Sequence, residues 1–153
     1  MEHKTKAYSC KIFTVWEEDV QLVNDKKTRQ SWIDHQPTVA VIAVNKKNEL
    51  LLISQYRIPT KDQLLEIPAG SIDDGESPAD CAQRELAEET GFRSGQLTEL
   101  YAGYLLPGYC NEYMYFFLPK ISSRNRFLPT RMNLSNCNLS AKPRPIICCR
   151  TVI

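Results

Sequence analysis

The chain has 153 residues, of which 42% are hydrophobic and 24% charged, and its formal net charge is +1. This length suits one domain with a real core, and the balance is that of a soluble globular protein rather than a disordered or fibrous one. The longest apolar runs, residues 39–44 and 113–118, are too short to span a bilayer. The opening residues Met1 to Lys6 lack the apolar core of a secretory signal. A cytoplasmic protein with no membrane partner is expected.

Residues 8–33 are largely extended in character. Residues 8–22 alternate roughly between β-branched or aromatic and polar types. Asn24, Asp25 and Lys26 make a turn, and residues 28–33 resume the extended pattern, so an N-terminal β-hairpin is expected. Residues 39–44 form a continuous apolar run, the mark of a strand buried on both faces. A polar turn at 45–48 leads to a strand over 50–56, and a short strand over 64–67 stops at Pro68. Further strands are expected at 97–105 and 113–118, separated by the turn Pro107-Gly108.

One helix is signalled between them. Ser77 suits an N-cap, Pro78 the first helical position and Asp80 the positive end of the helix dipole. Ala79, Ala82 and Leu86 mark an apolar stripe, and Gly91 ends the helix. Glu85 and Glu89 lie one turn apart on one face, and Glu88 joins them. Like charges so placed cost roughly 0.2–0.5 kcal/mol per pair. A solvated acidic face would tolerate that, and a divalent cation would offset it. Oxygen-only ligands suit Mg²⁺, or Mn²⁺ in its place. Upstream lies a glycine-bearing loop, residues 69–76, where Gly70 and Gly75 permit close backbone approach to a ligand.

The residues Gly70, Glu76, Arg84, Glu85, Leu86, Glu88, Glu89, Gly91 and Phe92 match G-x5-E-x7-R-E-U-x-E-E-x-G-U, with U an apolar residue, at every fixed position. The chain therefore resembles the Nudix hydrolases. The flanks Gln55-Tyr56-Arg57, Leu65-Glu66-Ile67-Pro68-Ala69 and Pro107-Gly108-Tyr109 with Glu112 resemble the ADP-ribose pyrophosphatase branch, which nucleoside-diphosphate-sugar hydrolases share. The resemblance covers roughly residues 8–119.

It implies an α+β fold, an α/β/α sandwich with a mixed β-sheet. It implies Mg²⁺-dependent hydrolysis of the pyrophosphate bond of ADP-ribose or a related nucleoside diphosphate sugar, giving AMP or another mononucleotide and a sugar phosphate. Glu85, Glu88 and Glu89 would hold the metal together with the Ala69 carbonyl, and one of these glutamates would serve as base. Arg84 would orient this catalytic set, paired with Glu76 or a metal-site glutamate. Arg57 would contact phosphate and Glu66 would lie at the site rim. Gly70, Pro107 and Glu112 would complete the substrate side. The branch also implies a homodimer that exchanges N-terminal strands. Trp16 and Trp32 could stack an adenine ring, with a core or interface role as the alternative.

Three segments follow: 1–37 as N-terminal strands, 38–119 as the catalytic core, and 120–153 as a divergent tail expected to be irregular. Residues 1–119 hold 12 Lys+Arg against 18 Asp+Glu, whereas residues 120–153 hold 7 Lys+Arg and no acid. No Asp or Glu follows Glu112, so the acidic loop that often supplies the base in this family is missing from these residues. A shifted reading frame, an alternative terminus or a lineage-specific extension would each produce such a tail. A catalytically weakened domain that still binds nucleotides is therefore the second functional reading. Nucleic acid is not an expected partner, since the basic tail has no aromatic residue beyond Phe127. The six cysteines and two histidines form no C-x-x-C pair or metal-ligand spacing, so free thiols are expected and zinc is not.

Overall fold

A computed structural model describes residues 4–44 and 49–120, and the backbone of 146–150. Three sheets and one helix make up the described part. The N-terminal sheet is an antiparallel meander of β1 (Lys4–Ser9), β2 (Phe13–Gln21) and β3 (Lys27–His35). The expected hairpin is thus β2–β3, and the sequence reading missed β1, whose six residues are all exposed.

The central sheet has the order β7-β4-β9-β8, from β7 (Ala69–Ser71), β4 (Thr38–Val41), β9 (Tyr113–Pro119) and β8 (Leu97–Tyr104). β4 runs parallel to β9 and antiparallel to β7. All four residues of β4 are buried, as its unbroken apolar run requires. The third sheet has the order β10-β5-β6, from β10 (Ile146–Arg150), β5 (Glu49–Arg57) and β6 (Asp62–Glu66).

β10 corrects the expectation of an irregular tail at this point. Its backbone pairs antiparallel with β5, from Ile146 opposite Ile53 to Arg150 opposite Glu49. An open strand edge takes up an extended apolar segment because the pairing satisfies backbone groups on both. The rest of that expectation, residues 121–145 and 151–153, lies outside the described residues.

The helix α1 (Pro78–Thr90) has the boundaries its sequence signals demand. Ser77 Oγ accepts the Asp80 backbone N–H at 3.2 Å and donates to the Asp80 carboxylate at 2.6 Å. Gly91 adopts φ 75° and returns its N–H to the Ala87 carbonyl. That left-handed conformation strains any residue with a Cβ. α1 packs on β4, β7 and β9. Its buried Cys81, Ala82 and Leu86 meet Val39, Val41, Ala43, Leu51 and Phe117 in the core. Burying a leucine such as Leu86 contributes about 1.5–3 kcal/mol. One face of α1 is therefore fixed against the sheet, and its carboxylates are presented along β7.

Cys10, Cys81 and Cys110 are free thiols. No described helix is long and apolar enough to cross a membrane.

Candidate functional site

The site is built where α1 crosses β7. The sequence reading took residues 69–76 as one loop, but Ala69, Gly70 and Ser71 form β7 opposite Ala40, Val39 and Thr38. This pins the backbone of Ala69–Ser71 directly under the acidic helix face. The Ala69 N–H donates to Glu89 Oε2 at 3.1 Å. A Cβ placed on Gly70 would fall on the Glu85 carboxylate, so glycine permits this close approach, and a larger residue would push that side chain aside.

Arg84 is the hub of the cluster. Its Nε donates to Glu76 Oε1 and its Nη2 to Glu76 Oε2, both at 2.9 Å. Nη2 also donates to the Ser71 carbonyl at 3.1 Å and to Cys81 Sγ at 3.3 Å. Nη1 donates to Glu85 Oε1 at 2.7 Å and reaches Glu88 Oε2 at 3.4 Å. Asp73 Oδ2 stands 3.9 Å from Nη2. The expected pairing of Arg84 includes both alternatives, Glu76 and a helix glutamate.

These contacts set the ionisation of the group. Hydrogen bonds from Arg84 draw the Glu76 pKa down to about 2, against the opposing effect of burial, with help from the Asp73 N–H. Burial pushes the Glu85 carboxyl upward, and Arg84 opposes it. Arg84 is held still more firmly in its charged form, chiefly by its hydrogen bonds to Glu76. Burial, and then the neighbouring Glu76, push the Cys81 thiol up to about 12, so it stays neutral.

The donor set suits a hard divalent cation. Glu85, only 13% exposed, is a carboxylate that burial destabilises and a cation would stabilise. Glu88 differs: its side chain is 62% exposed and turned outward. Among the described residues no three acidic, cysteine or histidine side chains converge tightly enough to cage an ion. Glu85, Glu88 and Glu89 thus share the helix face without yet sharing a centre.

The remaining expected residues fall into two groups. Arg57, at the end of β5 opposite Asp62, and Glu66, at the end of β6 opposite Ile53, form a fork of hydrogen bonds, Nε to Oε1 at 2.8 Å and Nη2 to Oε2 at 2.6 Å. Arg57 also feels the charge of Glu89, which puts this pair within electrostatic reach of the helix. Pro107 and Glu112 lie on the segment between β8 and β9. The turn after Leu106 is tied to β3, with Ile33 N–H donating to the Tyr109 carbonyl at 2.8 Å and Asn111 N–H to the Ile33 carbonyl at 3.1 Å. Glu112 Oε1 accepts from Thr38 Oγ1 at 2.9 Å.

Trp16 and Trp32 are paired across β2 and β3. The Lys4 ammonium lies 4.3 and 4.5 Å from their ring centroids. Their indole N–H groups donate to Asp34 and Glu18 respectively. Asp34 also walls a cavity of about 620 Å³, together with Phe13, His35, Tyr104, Asn111 and Tyr113.

The sequence reading missed two members of the cluster, Cys81 and Asp73. Cys81 had a usable signal, since it precedes Arg84 by three positions and so shares its helix face. Asp73 had none beyond its place in the loop.

The chain is 37% identical over 115 residues to an ADP-ribose pyrophosphatase of Bacillus subtilis (strain 168), a match covering 75% of this chain and 62% of that protein. It is 34% identical over 113 residues to a methanol dehydrogenase activator of Bacillus methanolicus, covering 74% and 61%. It is 36% identical over 87 residues to a GDP-mannose pyrophosphatase of Shigella flexneri serotype 5b (strain 8401), covering 53% and 45%. The chain thus spans about three fifths of the length of the first two relatives. The crystal structure of an ADP compounds hydrolase superposes with a TM-score of 0.75 at 23% identity, covering 98% of this chain and 77% of that one, which establishes a shared fold. The family model of the NUDIX domain matches residues 34–133, about two thirds of the chain, and the chain belongs to the Nudix family.

Proposed function

We propose that the protein hydrolyses the pyrophosphate bond of ADP-ribose or a related nucleoside diphosphate sugar, releasing a mononucleotide and a sugar phosphate. The observation that carries this reading is the crossing of α1 over β7, which sets Glu85 against Gly70 and Glu89 against Ala69. The likeness to pyrophosphatases of ADP-ribose and GDP-mannose supports the same substrate class. Mg²⁺, or Mn²⁺, bound by Glu85, Glu88, Glu89 and the Ala69 carbonyl would neutralise the diphosphate and polarise its phosphorus. Arg84 orients Glu85 from one side until the metal takes it up, and Gly70 lets the backbone lie close beneath it. Glu89 takes the proton of the attacking water. Arg57, released from Glu66, is the phosphate contact at the far end, and Glu66 then borders the sugar side. Pro107 and Glu112 enter the site through the β3-bound loop. We further assign residues 1–37 as the exchanged strands of a homodimer, residues 38–119 as the catalytic core, and the cytoplasm as location.

A second reading is supported by one observation: no Asp or Glu follows Glu112 in the chain. In it the domain binds the same nucleotides without turning them over. Incubating the protein with ADP-ribose, GDP-mannose, UDP-glucose and NADH, with Mg²⁺ or with EDTA, separates the two. Metal-dependent release of mononucleotide supports hydrolysis. Saturable nucleotide binding without release supports the second reading and overturns the first.

A further inference from the structure

The acidic face of α1 already holds a cation, its own Arg84. One edge of the guanidinium, Nε and Nη2, is committed to Glu76, the Ser71 carbonyl and Cys81 Sγ. These three anchors come from the loop, from β7 and from the preceding turn of α1. The other edge, Nη1, is used on Glu85 and Glu88, two of the three carboxylates assigned above to the metal. We propose that Arg84 is a built-in counter-ion that competes with the divalent cation for Glu85 and Glu88. Metal loading is then an exchange: Nη1 releases the two carboxylates while Nε and Nη2 stay on Glu76. This inference rests on reading α1 as a metal platform.

Three features support it. The Glu85 carboxylate is largely buried, so its charge requires a partner when no metal is bound. Glu88 is held by the longer contact, 3.4 Å against 2.7 Å, and is mostly exposed, so it is the first to be released. Two cations drawn to the same carboxylates repel each other, and the repulsion is strong in a partly buried site.

The proposal differs in sign from a purely orienting role for Arg84. If Arg84 only positions Glu85, its removal weakens metal binding. If Arg84 competes, its removal strengthens it. Mn²⁺ affinity of the full chain, read by electron paramagnetic resonance of the free ion, measures this without reference to activity. Arg84→Gln is expected to bind Mn²⁺ about tenfold tighter than wild type, as loss of a nearby like charge implies. Glu76→Gln is expected to bind it more weakly, because the guanidinium freed from Glu76 turns both edges onto the helix carboxylates. General damage to the site would move both variants in the same direction. Unchanged or weaker binding by Arg84→Gln overturns the proposal.

A second measurement needs no variant. In wild-type protein with ¹⁵N-labelled arginine, saturating Mg²⁺ should shift the Arg84 Nη1 resonance and leave Nε–H near its metal-free position. An Nη1 signal unmoved by bound Mg²⁺ overturns the exchange while leaving the metal platform intact. A wild-type chain that binds neither Mn²⁺ nor Mg²⁺ overturns both.

Discussion

Glu76 and Arg84 are joined by two parallel hydrogen bonds, Nε to Oε1 and Nη2 to Oε2, each 2.9 Å long. This geometry is the strong form of the arginine–carboxylate pair. It ties the loop before α1 to the middle of the helix, so the folded state holds Glu76 ionised down to about pH 2, against 4.5 for a free glutamate. The folded-state pKa is the lower one. The pair's contribution is therefore present in full above about pH 4.5 and fades as the pH falls toward 2. Urea denaturation across that window should show wild-type stability falling faster than that of Glu76→Gln, by on the order of 2 kcal/mol in total. Parallel curves for the two proteins would contradict the pairing.

The space under Glu85 gives a second expectation. Because a Cβ on Gly70 would occupy the carboxylate's position, Gly70→Ala should fold, yet displace Glu85 from β7. A misplacement of about 1 Å at a reacting centre costs about 10²-fold in rate. A loss of kcat of that order with an unchanged circular dichroism spectrum is predicted. Near wild-type turnover would show that Glu85 need not lie against the strand.

Leu86 tests the link between core and site. It is fully buried in the cluster of Val39, Val41 and Phe117. Leu86→Ala should cost about 2–5 kcal/mol in chemical denaturation. A cost under 1 kcal/mol would mean that the helix is not anchored through this face.

Much of this was legible beforehand. Ser77, Pro78 and Gly91 mark the ends of α1 by local chemistry, and local chemistry is what a sequence displays. β4 was legible because a strand buried on both faces leaves an unbroken apolar run. β7 was not, since three residues including a glycine carry no period; β4 makes it a strand by pairing with it. β10 was hidden for the same reason, its partner β5 being remote in sequence. The fork between Arg57 and Glu66 depends on the register of β5 and β6, which no local pattern specifies. The backbone ties of the Pro107 turn to β3 join segments remote in sequence, which no local pattern displays.

Arg57 illustrates the difference between a structural pair and a functional one. The Arg57–Glu66 pair is 45% and 22% exposed, so its removal should cost little stability, about 0–1 kcal/mol. If Arg57 binds phosphate, Arg57→Ala should raise KM for ADP-ribose at least tenfold with a melting temperature near wild type. An unchanged KM would confine Arg57 to its pairing with Glu66.

The central claim is that the carboxylates of α1 perform hydrolysis in this chain, although no acid follows Glu112. AMP released from ADP-ribose in the presence of Mg²⁺, compared between wild type and Glu89→Gln, tests it most directly. The account predicts steady release by the wild type and a fall of about 10²–10⁴-fold in the variant, the loss expected when a general base is removed. Wild-type protein that binds ADP-ribose and releases no AMP, or a variant that releases it at the wild-type rate, would contradict it.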